Sequence, residues 1–231
     1  MEAPHQISAV IFDMDGTLHD TEIVFHNAIK AGVAAVGFSV SDAFCHSLLG
    51  IPGVDGDVML REHLGPTFPY LEYTSHYRMQ IKRVLASAIP LKTGAIQIVK
   101  SLTERGVKVA VATSADRSRA QHQLTLSGLN AHIPIIVTRD DVDRAKPHPD
   151  VFLRAAAILN IPVGQCLAVG DSFNGVRSAH AAGTMPVMVP DLVPPTDEIR
   201  ALCVHVASSL HDVEEWLVAR SLQLSSARIG S

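Results

Sequence analysis

Ala9-Val10-Ile11-Phe12-Asp13-Met14-Asp15-Gly16-Thr17 is an apolar run that stops at two carboxylates one residue apart, followed by a glycine. Aspartate is depleted from strands and costly to bury unpaired, so two of them at a strand end imply a metal or a reaction that compensates them. The reading of the whole chain turns on what meets this pair.

Further along, Val107 to Ala112, Ile133 to Val137, Cys166 to Val169 and Pro186 to Val189 are also short apolar runs, while Ile7 to Phe12 opens the series. Little polar alternation interrupts them, as expected of strands covered on both faces. Between them, Ala95, Ile98, Val99 and Leu102, and then Phe152, Ala155, Ala156 and Leu159, recur at helical spacing. Gly106, Gly128 and Gly183 stand where such helices should end in left-handed caps. The expected fold is α/β, a doubly wound, mostly parallel, Rossmann-like sheet.

Residues 20 to 90 read differently, with helical periodicity and no convincing strand. Phe25, Ala28, Ile29, Gly32, Val33 and Val36 form one stripe, and Tyr77, Ile81, Val84, Leu85 and Ala88 another. About 70 residues are far more than one crossover needs, so an inserted helical cap (20–90) on a core of 1–19 and 91–231 is expected. Asp20 is the expected N-cap of its first helix, and Pro90 to Gly94 the return to the core. The last residues, from Ser225 on, look frayed.

Composition bounds the function. The 231 residues are 47% apolar, enough for a full core, and the formal charge of -4 comes with no long Lys/Arg cluster. Nucleic-acid and anionic-membrane partners depend on basic patches, so neither is expected. No apolar run approaches the roughly 18 residues of a membrane span. Met1 to Gln6 has no basic segment ahead of the first strand, so no signal peptide is expected and the expected location is the cytoplasm. Cys45, Cys166 and Cys203 are odd in number and far apart, which fits reduced, buried thiols. The twelve histidines, His26 and His148 among them, show no paired metal spacing. Oligomeric state leaves no mark in the sequence.

Ligands of an open parallel sheet bind beyond the carboxyl ends of its strands. Asp13, Asp15, Thr113, Ser114 and Asp171 all fall just past such ends, and Lys146 precedes the helix near Pro149. Taken singly they are loop hydroxyls, a surface lysine and a helix cap at Asp171 or Ser172. Together they make one rim.

Asp-Met-Asp-Gly-Thr-Leu, the strand ending in Thr113, Lys146-Pro147 and Gly170-Asp171-Ser172 resemble the four ordered motifs of the haloacid-dehalogenase-like superfamily. The insert directly after the first motif is similar to the helical-cap subgroup that includes beta-phosphoglucomutase and small-molecule phosphatases. The resemblance implies that Asp13 is a nucleophile forming an aspartyl-phosphate, with Asp15 as acid and then base. It implies Mg2+ held by Asp13, Asp171 and the backbone carbonyl of Asp15. Lys146 would offset charge, Thr113, Ser114 and backbone N–H groups would hold phosphoryl oxygens, and Gly16 would allow the tight turn.

Carbon–halogen displacement needs neither a leaving-group acid nor Mg2+, so Asp15 and Asp171 favour phosphate-ester chemistry. Mutase-like sequences carry a histidine where this chain has Phe25, and Lys and Arg where Leu49 and Gly53 stand. A hydrolase of a small phosphorylated metabolite is therefore preferred to a phosphosugar mutase. A phospho-aspartate-controlled binding module, like a receiver domain, is a third reading, weakened because the acidic pair follows the first strand. Gly170 stands where many relatives have a carboxylate, so the metal shell is expected to rely on water or Asn174. Gly50, Ile51, Pro52 and Gly53 form the cap loop expected near substrate. Arg61, Arg78 and Arg83 are basic residues of the same segment.

Overall fold

The computed structural model describes residues 7–48, 51, 53–86 and 88–229. Six strands form one sheet: β1 (Ala9–Phe12), β2 (Lys108–Ala112), β3 (Ile135–Val137), β4 (Cys166–Gly170), β5 (Met185–Met188) and β6 (His205–Val206). Their spatial order is β3-β2-β1-β4-β5-β6 and every pairing is parallel. This is the doubly wound order in which the connections reverse between β1 and β4. The crevice at that reversal is therefore flanked by the ends of the two strands that lead into Asp13 and Asp171.

Alternation along the strands divides the core. Val10, Phe12, Val109, Val111, Leu167 and Val169 face one side. There they meet α5 (Ala95–Glu104), α6 (Arg117–Leu126) and α10 (Leu210–Ile229) through Ile98, Leu124 and Val213. The opposite face carries small residues, Ala9, Ala110, Ala112 and Ala168, against Phe152 and Leu159 of α7 (Asp150–Leu159) and Ala179 of α8 (Phe173–Ala181). Alanines let these two helices approach closely, while the larger side chains opposite fill the wider space. Gly106, Gly128 and Gly183 do have left-handed φ, +74°, +76° and +79°. β6 was not expected; two half-buried residues are too short to carry a period. The stretch from Ser225, where fraying is expected, falls in the last turns of α10, which runs to Ile229.

Four helices lie between β1 and α5: α1 (Glu22–Ala35), α2 (Asp42–Ser47), α3 (Gly53–Leu64) and α4 (Tyr70–Leu85). They hold a cluster of their own, in which Val33, Leu60, Phe68 and Tyr73 are buried. Gly32 lets α1 approach α4, since a Cβ there would meet the Tyr73 ring at 3.1 Å. Tyr77, Ile81 and Leu85 keep the expected stripe on α4, but Val84 is 49% exposed and Ala88 lies past the helix end.

The chain leaves and re-enters side by side. Asp20 N–H donates to Pro90 O (2.8 Å) and Lys92 N–H to Leu18 O (3.0 Å). Asp20 is not the N-cap of α1: Thr21 holds that position and offers no side-chain cap bond. The Asp20 carboxylate instead pairs with Lys92 Nζ at 2.9 Å, which ties the two crossings together.

Candidate active site

Register places the acids. Phe12 pairs with Val111 of β2 and Val169 of β4, so Asp13, Thr113 and Asp171 emerge together at the carboxyl edge. Asp13 is 8% exposed and its N–H donates to Val169 O at 2.8 Å. Its Oδ1 accepts from Met14 N–H (2.8 Å), and its Oδ2 lies 2.6 Å from Lys146 Nζ. The Lys146 side chain is only 1% exposed, donates to Ala112 O (3.0 Å) and lies over the Phe152 ring. A lysine that the sequence leaves looking like a surface residue is thus a buried cation with a fixed target.

Asp171 faces Asp13 from β4. Its Oδ1 accepts from Thr17 Oγ1 at 2.9 Å, and burial followed by the nearby Asp13 charge pushes its pKa up to about 8. Gly16, at φ +73°, fits against it: a Cβ there would lie 2.3 Å from Asp171 Oδ2. Gly16→Ala should therefore displace Asp171 and add roughly 1–3 kcal/mol of left-handed backbone strain. We expect a melting-temperature drop of about 2–12 °C. Any activity should fall by about 100-fold, since a misplacement on the order of 1 Å costs that much. Thermal melts and turnover of the purified variant test both.

Asp15 points elsewhere. Its Oδ1 accepts from Thr21 Oγ1 (2.6 Å), and its Oδ2 is bonded by the Arg119 guanidinium. Arg119 comes from α6 and stacks over the Phe25 ring of α1 at 4.8 Å. One acid is therefore held by the core and by the first inserted helix together.

Glu22, the first residue of α1, is buried among these acids. Burial, then the charges of Asp171 and Asp15, push its carboxyl pKa well up. Arg119 carries no signal in the sequence, because α6 is polar and shows no clear stripe. Thr17, Thr21 and Glu22 lie within ten residues of Asp13, and their proximity was the available signal.

Among the hydroxyls, Thr113 accepts from Ala115 N–H at 3.1 Å, and Ser114 Oγ is buried without a hydrogen-bond partner among the described residues. Ser172 caps α8 by accepting from Gly175 N–H (3.1 Å). That helix start lies beside Asp13: a Cβ on Gly175 would come within 3.4 Å of Asp13 Oδ2. Free N–H groups at a helix start suit an anion. Asn174 is half-buried in the first turn of α8 and is not among the residues that line the cleft. Gly170 also abuts Asp13, so a carboxylate at 170 would add a further negative charge beside it.

These groups open into a cleft of about 860 Å³ between the sheet edge and the inserted helices. Ile51 and Arg78 line it; Gly53 starts α3, and Gly50 and Pro52 lie outside the described residues. Arg61 lies over the Tyr70 ring, and neither it nor Arg83 lines the cleft.

A hard cation fits this donor set. Among the described residues no three His, Cys, Asp or Glu side chains form a metal cluster. Mg2+ does not require one, since it binds through one or two carboxylates plus water and substrate phosphate. Asp13 and Asp171 are two such carboxylates, buried against each other, and a divalent cation would relieve their repulsion.

The raised carboxyls make a pH prediction. Asp171 and Glu22 bind protons more tightly folded than unfolded, so each lowers stability as pH rises from about 4. His19 opposes them up to pH ~6.5, because burial pulls its folded pKa down to about 4. Between pH 6.5 and 8 only the carboxyl effect remains. The melting temperature of chelator-treated protein should fall across that window, and calorimetry checks the slope.

A doubly wound sheet with buried acids, a buried lysine and an anion-ready helix start at its carboxyl edge defines a class: α/β proteins built to handle a phosphate-like anion. Comparison with known proteins gives the family. A profile described as haloacid dehalogenase-like hydrolase matches residues 10–189, and the chain belongs to that family. It is 27% identical to a phosphorylated carbohydrates phosphatase of Thermotoga maritima, over 77% of this chain and 82% of that protein. It is 29% identical to hexitol phosphatase B of Escherichia coli K12, over 82% and 86%. A solved beta-phosphoglucomutase from Clostridium difficile shares the fold at TM-score 0.75 and 19% identity, covering 94% of this chain and all of that one. The chain is thus a hydrolase on the phosphatase side of its family, with a beta-phosphoglucomutase-like fold.

Proposed function

We propose that the chain is a Mg2+-dependent phosphatase that hydrolyses a small phosphomonoester, a sugar, polyol or nucleotide phosphate, through an aspartyl-phosphate. The observation that carries this is the buried Lys146 ammonium 2.6 Å from Asp13 Oδ2, with Asp171 facing the same carboxylate. Asp13 attacks phosphorus and the ester P–O bond breaks, with Asp15 giving its proton to the departing alkoxide. Asp15 then takes a proton from water, whose oxygen attacks phosphorus and releases phosphate and free Asp13. Lys146 offsets charge on the transferring group, while the Thr113 and Ser114 hydroxyls and the N–H groups at the start of α8 hold its oxygens. When bound, Mg2+ held by Asp13, Asp171 and the Asp15 carbonyl supplies Lewis-acid charge neutralisation.

In the present arrangement both Asp15 oxygens are taken, so the acid role requires a rotation that releases Thr21 or Arg119. We further propose that residues 20–90 are a cap, hinged at the paired crossings and closing over the rim of a core made of 1–19 and 91–231. Its separate hydrophobic cluster supports this. The free thiols Cys45, Cys166 and Cys203 support a reducing, cytoplasmic location.

The test is phosphate release from a phosphomonoester panel with Mg2+ and with chelator. We expect turnover that chelator abolishes, and Mg2+ should also flatten the stability loss between pH 6.5 and 8. No Mg2+-dependent release from any ester would sink the reading. Interconversion of a sugar phosphate without release would replace it with the mutase, and a long-lived phosphoprotein that switches binding would replace it with a phospho-aspartate module.

A further inference from the structure

The walls of the cleft differ in chemistry. Its floor is the charged rim, while the inserted helices present Phe25 and Ile29 from α1, Val54 from α3, and Ile81 and Leu85 from α4, with His26, Asp57 and Thr74 as polar groups between them. Phe25 is the closest of these to the chemistry. One face of its ring is covered by Arg119, and Arg119 is bonded to Asp15, so an aromatic ring stands one residue away from the carboxylate that serves the leaving oxygen, with its other face and edge left for a ligand. Tyr77, which also lines the cleft, keeps its hydroxyl neutral because burial pushes its pKa up to about 12.

We propose that the preferred substrate is a phosphomonoester whose alcohol carries a planar aromatic ring system, of nucleoside or flavin type, rather than a hexose or polyol phosphate. This rests on the reading of the site as a phosphomonoester hydrolase. A hexitol brings a chain of hydroxyls, and each one buried against Ile29, Ile81 or Leu85 loses its water without gaining a partner. A ring system buries apolar surface on the same wall and stacks on Phe25, which aromatic pairs favour.

Size agrees with this. The cleft of about 860 Å³ lies near the upper end of sites of about 300–1,000 Å³ that enclose drug-sized ligands behind mostly apolar walls. At its side, Arg78 and Lys82 stand one turn apart on α4, exposed and without ion pairs among the described residues. They can meet the polar edge of a heteroaromatic ring.

The experiment compares kcat/KM for riboflavin 5′-phosphate and adenosine 5′-monophosphate with sorbitol 6-phosphate, glucose 6-phosphate and acetyl phosphate. One of the two aromatic esters should exceed both carbohydrate esters by about 10- to 200-fold, the range such a wall can discriminate. Ile81→Asn should lower the ratio of kcat/KM for that ester to kcat/KM for acetyl phosphate at least 10-fold. Equal or better hydrolysis of sorbitol or glucose 6-phosphate overturns the proposal, as does a ratio unmoved by Ile81→Asn. Hydrolysis of acetyl phosphate that is lost in Asp13→Asn would keep the phosphatase reading alive in that case. No release from any of the five would overturn both.

Discussion

Asp13→Asn should lower phosphate release at least about 10⁴-fold, the scale on which removing a nucleophile acts. The substitution is nearly isosteric. Its amide oxygen can still accept from Met14 N–H, where Asp13 Oδ1 now does so at 2.8 Å. What disappears is a charged oxygen able to attack phosphorus, so a loss without unfolding separates nucleophilic catalysis from mere binding of the ester. Two electrostatic changes act against each other. Lys146 loses its partner ion while keeping its bond to Ala112 O, and Asp171 loses the Asp13 charge that helps push its pKa up. The fold should therefore lose stability, but less than in Lys146→Ala, because relief at Asp171 offsets part of the loss of the Lys146 partner. Turnover and hydroxylamine trapping of an acyl phosphate are the measurements. A variant that keeps more than about 1% of the activity would remove Asp13 from the role.

Lys146→Ala should damage both fold and activity. The pair it forms with Asp13 is buried on both sides, 1% and 11% exposed. Removing one partner of a buried pair leaves the other uncompensated and costs about 3–5 kcal/mol. At about 2–4 °C per kcal/mol for a domain of this size, the melting temperature should fall by about 6–20 °C. The ammonium also donates to Ala112 O and packs over Phe152, so the alanine leaves an unsatisfied carbonyl and a gap at the sheet edge. Activity should fall by roughly 10²–10³-fold, as when a charge-stabilising donor is removed. Assays well below the new melting temperature distinguish the two effects, and Lys146→Arg should recover part of the stability through its charge. An unchanged melting temperature would contradict the burial of the pair.

Much of this was legible because it is local. Strands buried on both faces read as unbroken apolar runs, and helices on a sheet read as stripes, so five of the strands and both crossover stripes stood out. The opening acids were equally plain, since nothing local excuses them. Where local rules misled, a longer-range partner had taken the group. Asp20 has the side chain of an N-cap but spends it on Lys92, and Thr21 spends its hydroxyl on Asp15. Val84 keeps the apolar spacing of α4 yet faces outward, and β6 is too short to announce itself.

That acids, hydroxyls and a lysine stand at the ends of buried strands can be read from the sequence alone, because periodicity and strand termination depend on near neighbours. What each of them meets depends on how the distant parts of the chain pack. Thr17 and Asp171 are 154 positions apart, and Asp15 and Arg119 are 104. Such pairs come together because parallel strands align their carboxyl ends, β1 beside β4 for the first pair and β1 beside β2, which leads into α6, for the second, a property of strand order and not of any local stretch. Burial followed from the same assembly, and it converts an ordinary lysine and aspartate into Lys146 held on Asp13 and a carboxyl at Asp171 that keeps its proton to about pH 8.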